Sequence, residues 1–418
     1  MLVLVASLGY FVDIYDLILF NVVKKESLLD LFGQLPMDQL ISYEMNLFSC
    51  QMVGMLIGGI LWGVWGDKKG RVSVMFGSIL MYSLANIANA FATDLMQYSV
   101  LRFIAGVGLA GELGAGITLV VESMDKEKRG WGTMTVVTVG VCGAVVASLV
   151  GKEGHVIGNI IFENFGILFS NWQIAYLLGG FMGLLLLLLR AGAFESGMFK
   201  SIQEQESVSK GNLGILFKDK QRFFKYLNAI LIGLPIWLVV GILIGQSDKI
   251  AKALGVVGEV KVSDSIMFAY IGLSIGDFAS GFISQVVKSR KKVIVGFQIA
   301  LFLLCLIYLF NHQVSVTYFK VICLLLGITA GYWALFVTNA AEQFGTNIRS
   351  VVTNTAPNFV RGAVWPLSEL FKAMLPKEDP ISGIISAAVS ITVAVFLVAF
   401  IASYFTKETY GKDLNYTE

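Results

Sequence analysis

Charge is scarce in this chain. Only 14% of its 418 residues are charged, while 56% are hydrophobic; a soluble domain carries about 25% charged residues. Mean hydropathy is +0.75. A soluble fold of this length could not cover so much apolar surface with so few charges, and a bilayer removes that demand. Histidine is nearly missing. His155 and His312 both fall in loops, and no metal-ligand cluster appears, so no metal site is expected. The four cysteines, Cys50, Cys142, Cys305 and Cys323, lie inside apolar runs and read as small buried hydrophobes rather than a disulfide set. A phosphate-binding loop is absent, which excludes ATP as a driving force. No Ser/His/Asp set is placed for hydrolysis, so neither an enzyme nor catalytic residues are expected. A net charge of +2 gives no case for nucleic acid.

What is present is a series of apolar runs near 20 residues, each able to cross roughly 30 Å of hydrocarbon as a helix. They fall at about 2–23, 41–65, 72–92, 96–122, 131–150, 172–190, 223–246, 263–286, 293–311, 316–340, 351–372 and 381–405. The first carries Asp13 and Asp16 and is too long for the apolar core of a cleavable leader, so it reads as a span. The polar stretch 191–222 divides the spans six and six. The expected organisation is a first bundle over 1–190, a cytoplasmic linker over 191–222, a second bundle over 223–405 and a cytoplasmic tail over 406–418. With both ends inside, the inner loops hold 20 of the 31 Lys and Arg and the outer loops nine, the bias that sets orientation. The outer segment 152–171, rich in Ile and Phe, reads as a packing element or a short surface helix at the headgroups.

The halves echo each other. Gly54, Gly58 and Gly63 recur as Gly272, Gly276 and Gly281 at an offset of 218, and both runs lead into a basic turn, 66–71 and 288–292. Glu122 with Arg129 recurs as Glu342 with Arg349, and Thr133 with Thr135 as Thr353 with Thr355, at an offset of 220. Two parallel six-helix repeats are a transporter architecture, with the solute site between them near the midplane.

The motifs are similar to one family. The turn Gly66-Asp67-Lys68-Lys69-Gly70-Arg71 resembles the loop between spans 2 and 3 of the major facilitator superfamily. Arg102-Phe103-Ile104-Ala105-Gly106-Val107-Gly108, followed by Gly111-Glu112, resembles that family's fourth-helix motif. Asn171-Trp172-Gln173-Ile174-Ala175-Tyr176 looks like the start of its sixth helix, where Trp-Arg is commoner. Asp13-Ile14-Tyr15-Asp16-Leu17 is similar to the Asp-x-x-Asp pattern of its metabolite–proton and aromatic-acid–proton symporter branches. The resemblance covers the whole chain. It implies an all-α membrane protein, twelve transmembrane helices in two pseudo-symmetric six-helix halves, working as a secondary transporter.

Six ionisable residues fall within spans and away from their ends: Asp13, Asp16, Arg102, Glu112, Asp277 and Arg361. Each costs roughly 2.5–3.5 kcal/mol at a helix centre, so each should face the interior or pair. Asp13 and Asp16, three apart, share a helix face. Two carboxylates in low dielectric repel when both are charged, which suits a site that takes and releases a proton. Arg102 stays charged, and in the family it resembles an acidic residue of helix 1 commonly faces the helix 4 arginine. Asp13 or Asp16 is therefore expected to alternate between a proton and Arg102, or else to form a permanent ion pair with it. Glu112 is either a second proton site or a bond to a neighbouring helix. Asp277 reads as a structural partner.

Asn354, Asn358, Arg361 and Trp365 form one helical stripe, loosened by Pro357 and Pro366. A guanidinium with amides and an aromatic suits a carboxylate-bearing solute; the plain alternative is an Arg361 pair to Asp13, Asp16 or Glu112. Tyr15, Tyr332, Trp333 and Trp237 are candidate aromatic walls, with lipid-facing rings as the alternative. Asp67, Arg71, Glu122, Arg129, Glu342 and Arg349 are candidates for a cytoplasmic charge gate, or for headgroup anchors.

The expectation is a monomeric, alternating-access carrier of a bacterial inner membrane. It would import a small organic anion or zwitterion with protons as the coupling ion and no other cofactor. A proton-antiporting exporter of amphipathic compounds and a non-transporting sensor on the same fold stand as alternatives.

Overall fold

The computed structural model describes residues 2–69, 71–112, 129–195 and 214–411; the side chains at 2, 66–69, 71–72, 129–131, 133–134, 192–195, 215 and 346–350 lie outside that description. The described chain is almost wholly helical. In order come α1 (Leu2–Phe32), α2 (Met37–Lys69), α3 (Arg71–Asn89), α4 (Leu95–Leu109), α5 (Arg129–Phe165) and α6 (Asn171–Glu195). The second half follows with α7 (Lys220–Trp237), α8 (Val262–Val287), α9 (Arg290–Phe310), α10 (Val316–Ala330), α11 (Trp333–Glu342), α12 (Thr346–Gly362), α13 (Val364–Ala373) and α14 (Pro380–Phe405). Among the described residues, nine segments are long and apolar enough to cross a membrane. α3, α4 and the broken pair α12–α13 fall where the other three of the twelve expected crossings were placed.

The helices start where side chains satisfy free N–H groups. Asp94 accepts from Gln97 N at 2.9 Å, Ser289 from Lys292 N at 3.1 Å and Ser315 from Tyr318 N at 3.2 Å. Pro380 opens α14, where its missing donor costs nothing. One expectation fails. The segment after 150 is no separate surface helix, because α5 runs unbroken for 37 residues to Phe165. At 1.5 Å per residue that is about 55 Å, well beyond the hydrocarbon.

The repeat becomes a repeat of contacts. A Cβ on Gly54 would strike the Phe103 carbonyl, and one on Gly58 the Val107 carbonyl. In the second half, Gly272 meets the Leu324 carbonyl and Gly276 that of Ile328. The glycines are 218 apart (272 − 54) and their partners 221 apart (324 − 103). α2 thus lies on α4 as α8 lies on α10, backbone to backbone, as small residues allow in lipid.

Both repeats then break. α4 ends at Leu109 before Ala110-Gly111, and α10 ends at Ala330 before Gly331-Tyr332, again 221 apart (330 − 109). Broken helices inside a membrane must satisfy the backbone groups they free. In the first half, Trp62 Nε1 donates to Val107 O at 2.6 Å and Asn358 Nδ2 to Ala110 O at 3.2 Å. In the second, Ala334 N donates to Asp277 Oδ1 at 3.0 Å. Asp277 therefore acts as a structural partner, though in mid-span and not at the basic turn. α7 gives way to one π-helical turn, Leu238–Leu243, just after Pro235. Such turns are frequent at functional sites.

Following the chain from helix to helix, residues 2, 195, 214, 288–289, 342–345 and 406–411 share one face, here the terminal face. Glu408 ties the tail to it by accepting from Arg290 N at 2.9 Å. The turns at 33–36, 90–94, 166–170, 244–261, 311–315 and 374–379 form the opposite, far face.

Candidate functional site

Arg361 sits in the last turn of α12, fully buried. Its guanidinium carbon lies 5.5 Å from the Trp237 ring centroid and 5.6 Å from that of Trp333. The two indoles meet edge to face, with centroids 6.2 Å apart and planes at 69°. Trp237 arrives at the end of α7, and Trp333 is the first residue of α11, so both ring positions follow from helix interruptions. Nε, Nη1 and Nη2 of Arg361 have no hydrogen-bond partner among the described residues. A buried charge without hydrogen bonds is costly. Two indole faces offset part of that cost by cation–π attraction, about 2 kcal/mol each when desolvated.

Across the divide between the halves stands Asp13 of α1. It too is fully buried, and neither carboxylate oxygen has a hydrogen-bond partner among the described residues. Arg361 is the charge that acts on it most strongly, ahead of Glu112 and Arg190. Tyr10, one turn earlier on α1, feels Arg361, Asp13 and Asp277 and lies against Trp333. Sequence reading missed Tyr10. Its spacing of three before Asp13 was the available signal.

Asp16 and Arg102 are both buried in the first half, but the expected ion pair between them is not formed. Arg102 Nη2 donates to Gln51 Oε1, and its guanidinium stacks 4.9 Å over Phe20 and 5.7 Å from Tyr176. Asp16 packs on Gly179 of α6, and Arg102 reaches it only through its field. Glu112 forms the bond across helices. It is held by Arg190 of α6 through two hydrogen bonds, Nη1 to Oε2 at 3.0 Å and Nη2 to Oε1. Arg190, the last residue of the sixth apolar run, is completely buried. Ala191 to Phe194 continue the apolar run past it, which was the signal that the helix goes on.

The polar stripe on span 11 splits. Asn358 is buried and spends its Nδ2 on Ala110 O of the opposite half and on Asn354 O at 2.9 Å. Asn354 is half-buried. Trp365 is 48% exposed on the outside of the bundle, because α12 stops at Gly362 and α13 restarts the helix with a new face. Pro366 has no N–H to give Gly362, which explains the stop. Two of the candidate walls are structural. Tyr15 Oη donates to Ala175 O at 3.0 Å inside the first half, and Tyr332 Oη to Ile232 O at 3.0 Å inside the second.

Of the gate candidates, Glu122 and the side chains of Asp67, Arg71, Arg129 and Arg349 lie outside the described residues. Glu342 pairs with Arg290 at 3.4 Å and accepts from Thr409 Oγ1 at 2.7 Å, all within the second half. Among the described residues, the ion pair that joins the halves, Lys249 to Glu44 at 2.7 Å, lies on the far face, with Lys24 beside it.

Comparison with known proteins agrees with this geometry. The sequence model of the Major Facilitator Superfamily matches residues 6–368. The chain is 26% identical over 398 residues to the niacin transporter of Acinetobacter baylyi, covering 88% of this chain and 86% of that one. It is 25% identical over 322 residues to the cis,cis-muconate transport protein of the same organism, covering 75% and 74%. The crystal structure of a D-xylose-proton symporter superposes with a TM-score of 0.71 at 17% identity, over 99% of both chains.

Proposed function

The chain belongs to the Major Facilitator Superfamily, and from that premise we propose that it imports a small organic anion together with a proton across a bacterial inner membrane by alternating access. One observation carries the reading. A fully buried guanidinium without a hydrogen-bond partner among the described residues acts through its field on a buried carboxyl group that likewise has none there. Arg361 offers a planar fork of five donors, the geometry that a carboxylate accepts bidentately. Trp237 and Trp333 give it apolar walls against which a planar solute can lie.

Asp13 supplies the coupling. When ionised it competes with an incoming anion for the field of Arg361 and repels it. A proton on Asp13 removes both effects, so proton and anion bind as a neutral pair. Loss of the proton on the other side restores the competition and expels the solute. The relatives named for niacin and cis,cis-muconate support an acidic solute, since both compounds carry carboxylates. Asp16, one turn further along α1 and within the field of Arg102 of α4, is a second carboxyl group that the proton can visit.

The test is uptake of nicotinate and of cis,cis-muconate into proteoliposomes under an imposed pH gradient. Wild type should accumulate one of them when the outside is acidic. Asp13→Asn should lose accumulation yet keep exchange at equal concentrations on both sides. Proton movement opposite to solute would instead establish an exporter. Unaltered accumulation by Arg361→Gln would overturn the reading.

A further inference from the structure

On the far face, four charged residues cross the divide between the halves. Lys24 of α1 and Glu44 of α2 belong to the first half; Asp248 and Lys249, in the short helix Ser247–Ala253 after the π-turn, belong to the second. Lys24, Glu44 and Lys249 are at most 3% exposed. Lys24 Nζ donates to Gly245 O at 2.7 Å, and Lys249 Nζ to Glu44 Oε2 at 2.7 Å. Both bonds join one half to the other.

Each lysine also has a carboxylate in its own half, held more loosely. Lys24 lies 3.4 Å from Glu44, and Lys249 lies 3.3 Å from Asp248. A third cation on this face repeats the arrangement. Lys372 donates across the divide to Asn46 and within its own half to Glu369 at 2.8 Å. Breaking a buried ion pair normally strands a charge, at a cost that would lock the face shut. Here the parting halves strand nothing, because Lys24 leaves with Glu44 and Lys249 leaves with Asp248.

We propose that Lys24, Glu44, Asp248 and Lys249 form a partner-exchange latch: cross-half bonds hold the far face closed, and the in-half carboxylates take over the lysines when it opens. The in-half contacts are the longer ones in the closed arrangement and tighten once the cross-half bond is released. Each carboxylate therefore favours a different state. Glu44 holds two lysines, Lys24 and Lys249, when the face is closed and Lys24 alone when it is open. Asp248 contributes most when it is open. Neutralising two carboxylates that share one lysine should thus move the equilibrium in opposite directions, an outcome no simple count of ion pairs gives. The latch rests on alternating access and not on the identity of the solute or the coupling ion.

The experiment is pulsed EPR on protein in lipid nanodiscs, without solute or pH gradient, with spin labels at Asp38→Cys and Lys377→Cys, both exposed on the far face. The four native cysteines are replaced by alanine. Glu44→Gln should raise the ratio of long to short label distances on the order of tenfold, the worth of one charge-assisted bond. Asp248→Asn should lower it. Lys249→Met removes the same cross-half bond from the other side, so it should act like Glu44→Gln and serves if that variant does not fold. Shifts of the same sign in Glu44→Gln and Asp248→Asn, or no shift in either, would overturn the latch. Because no solute is present, that failure is separable from a failure to transport organic anions.

Discussion

Glu112 and Trp333 hold equivalent places in the two halves. Each is the first residue after the break in its span, 221 positions apart (333 − 112). Each faces a fully buried arginine, and the two regions treat that arginine differently. In the first half Glu112 grips Arg190 with both oxygens. In the second, Trp333 lays only a ring face near Arg361 and leaves its N–H groups unbonded. The same backbone device thus builds a structural tie in one half and a receptive cation in the other. A guanidinium gripped by both oxygens of a carboxylate from its own chain has that fork occupied, whereas one held by π-faces keeps its directional donors.

The comparison breaks most sharply at Arg361. Arg361→Gln should weaken binding of the transported anion at least ~100-fold by calorimetry, the loss of two charge-assisted hydrogen bonds. Its melting temperature should not fall, since the substitution removes an unpaired buried charge. Trp333→Glu would impose the first half's solution on the second, giving Arg361 a carboxylate of its own. Binding should be lost as completely as in Arg361→Gln although the cation remains. Normal binding by Trp333→Glu would show that Arg361 is not the anion's partner.

The reciprocal substitution tests stability instead. Glu112→Gln leaves Arg190 buried and unpaired, a loss of about 3–5 kcal/mol. Thermal unfolding in detergent should show it as a large drop in melting temperature, with the solute affinity of the surviving folded protein little changed. Wild-type stability would return Glu112 to the list of proton carriers.

The sequence carried the division into halves, the glycine contacts and the intramembrane charges, because each leaves a periodic or compositional mark. The run of twelve apolar segments could be counted, and Gly54 with Gly272 could be aligned. Partners were harder. Arg190 and Glu112 are 78 residues apart (190 − 112), and nothing local says that they meet. A sequence shows that Lys24 and Lys249 carry charge but not what crosses over to bury them. Trp365 failed for a geometric reason: the stripe that placed it assumed one continuous helix, and the stop at Gly362 resets the face. Asp277 was read rightly as structural, but its real task, capping α11 at Ala334, depends on a break that the apolar run from 316 to 340 conceals.

That cap gives a smaller effect. Asp277→Ala should remove one helix cap and cost about 1 kcal/mol in thermal unfolding. Because it touches neither Arg361 nor Arg190, transport should survive it. Loss of transport at unchanged stability would mean that the start of α11 positions Trp333 more actively than a cap requires.

The smallest effect lies at the surface, where a carboxylate is held by neutral donors instead of an arginine. Partial burial works against ionisation of Glu408. The Ser289 hydroxyl and the N–H groups of Tyr410, Arg290 and Thr409 outweigh it and hold the carboxyl down to about 2. A folded-state value below the ordinary ~4.3 of glutamate means that the tether is fully present above that value. It weakens as pH falls from there toward 2. Amide hydrogen exchange at Arg290, Thr409 and Tyr410 reads it directly. Protection should be constant from pH 7 to 5 and fade between about pH 4 and 2. Protection that stays constant down to pH 2 would show that the tail is tied to α9 by something other than the Glu408 carboxylate.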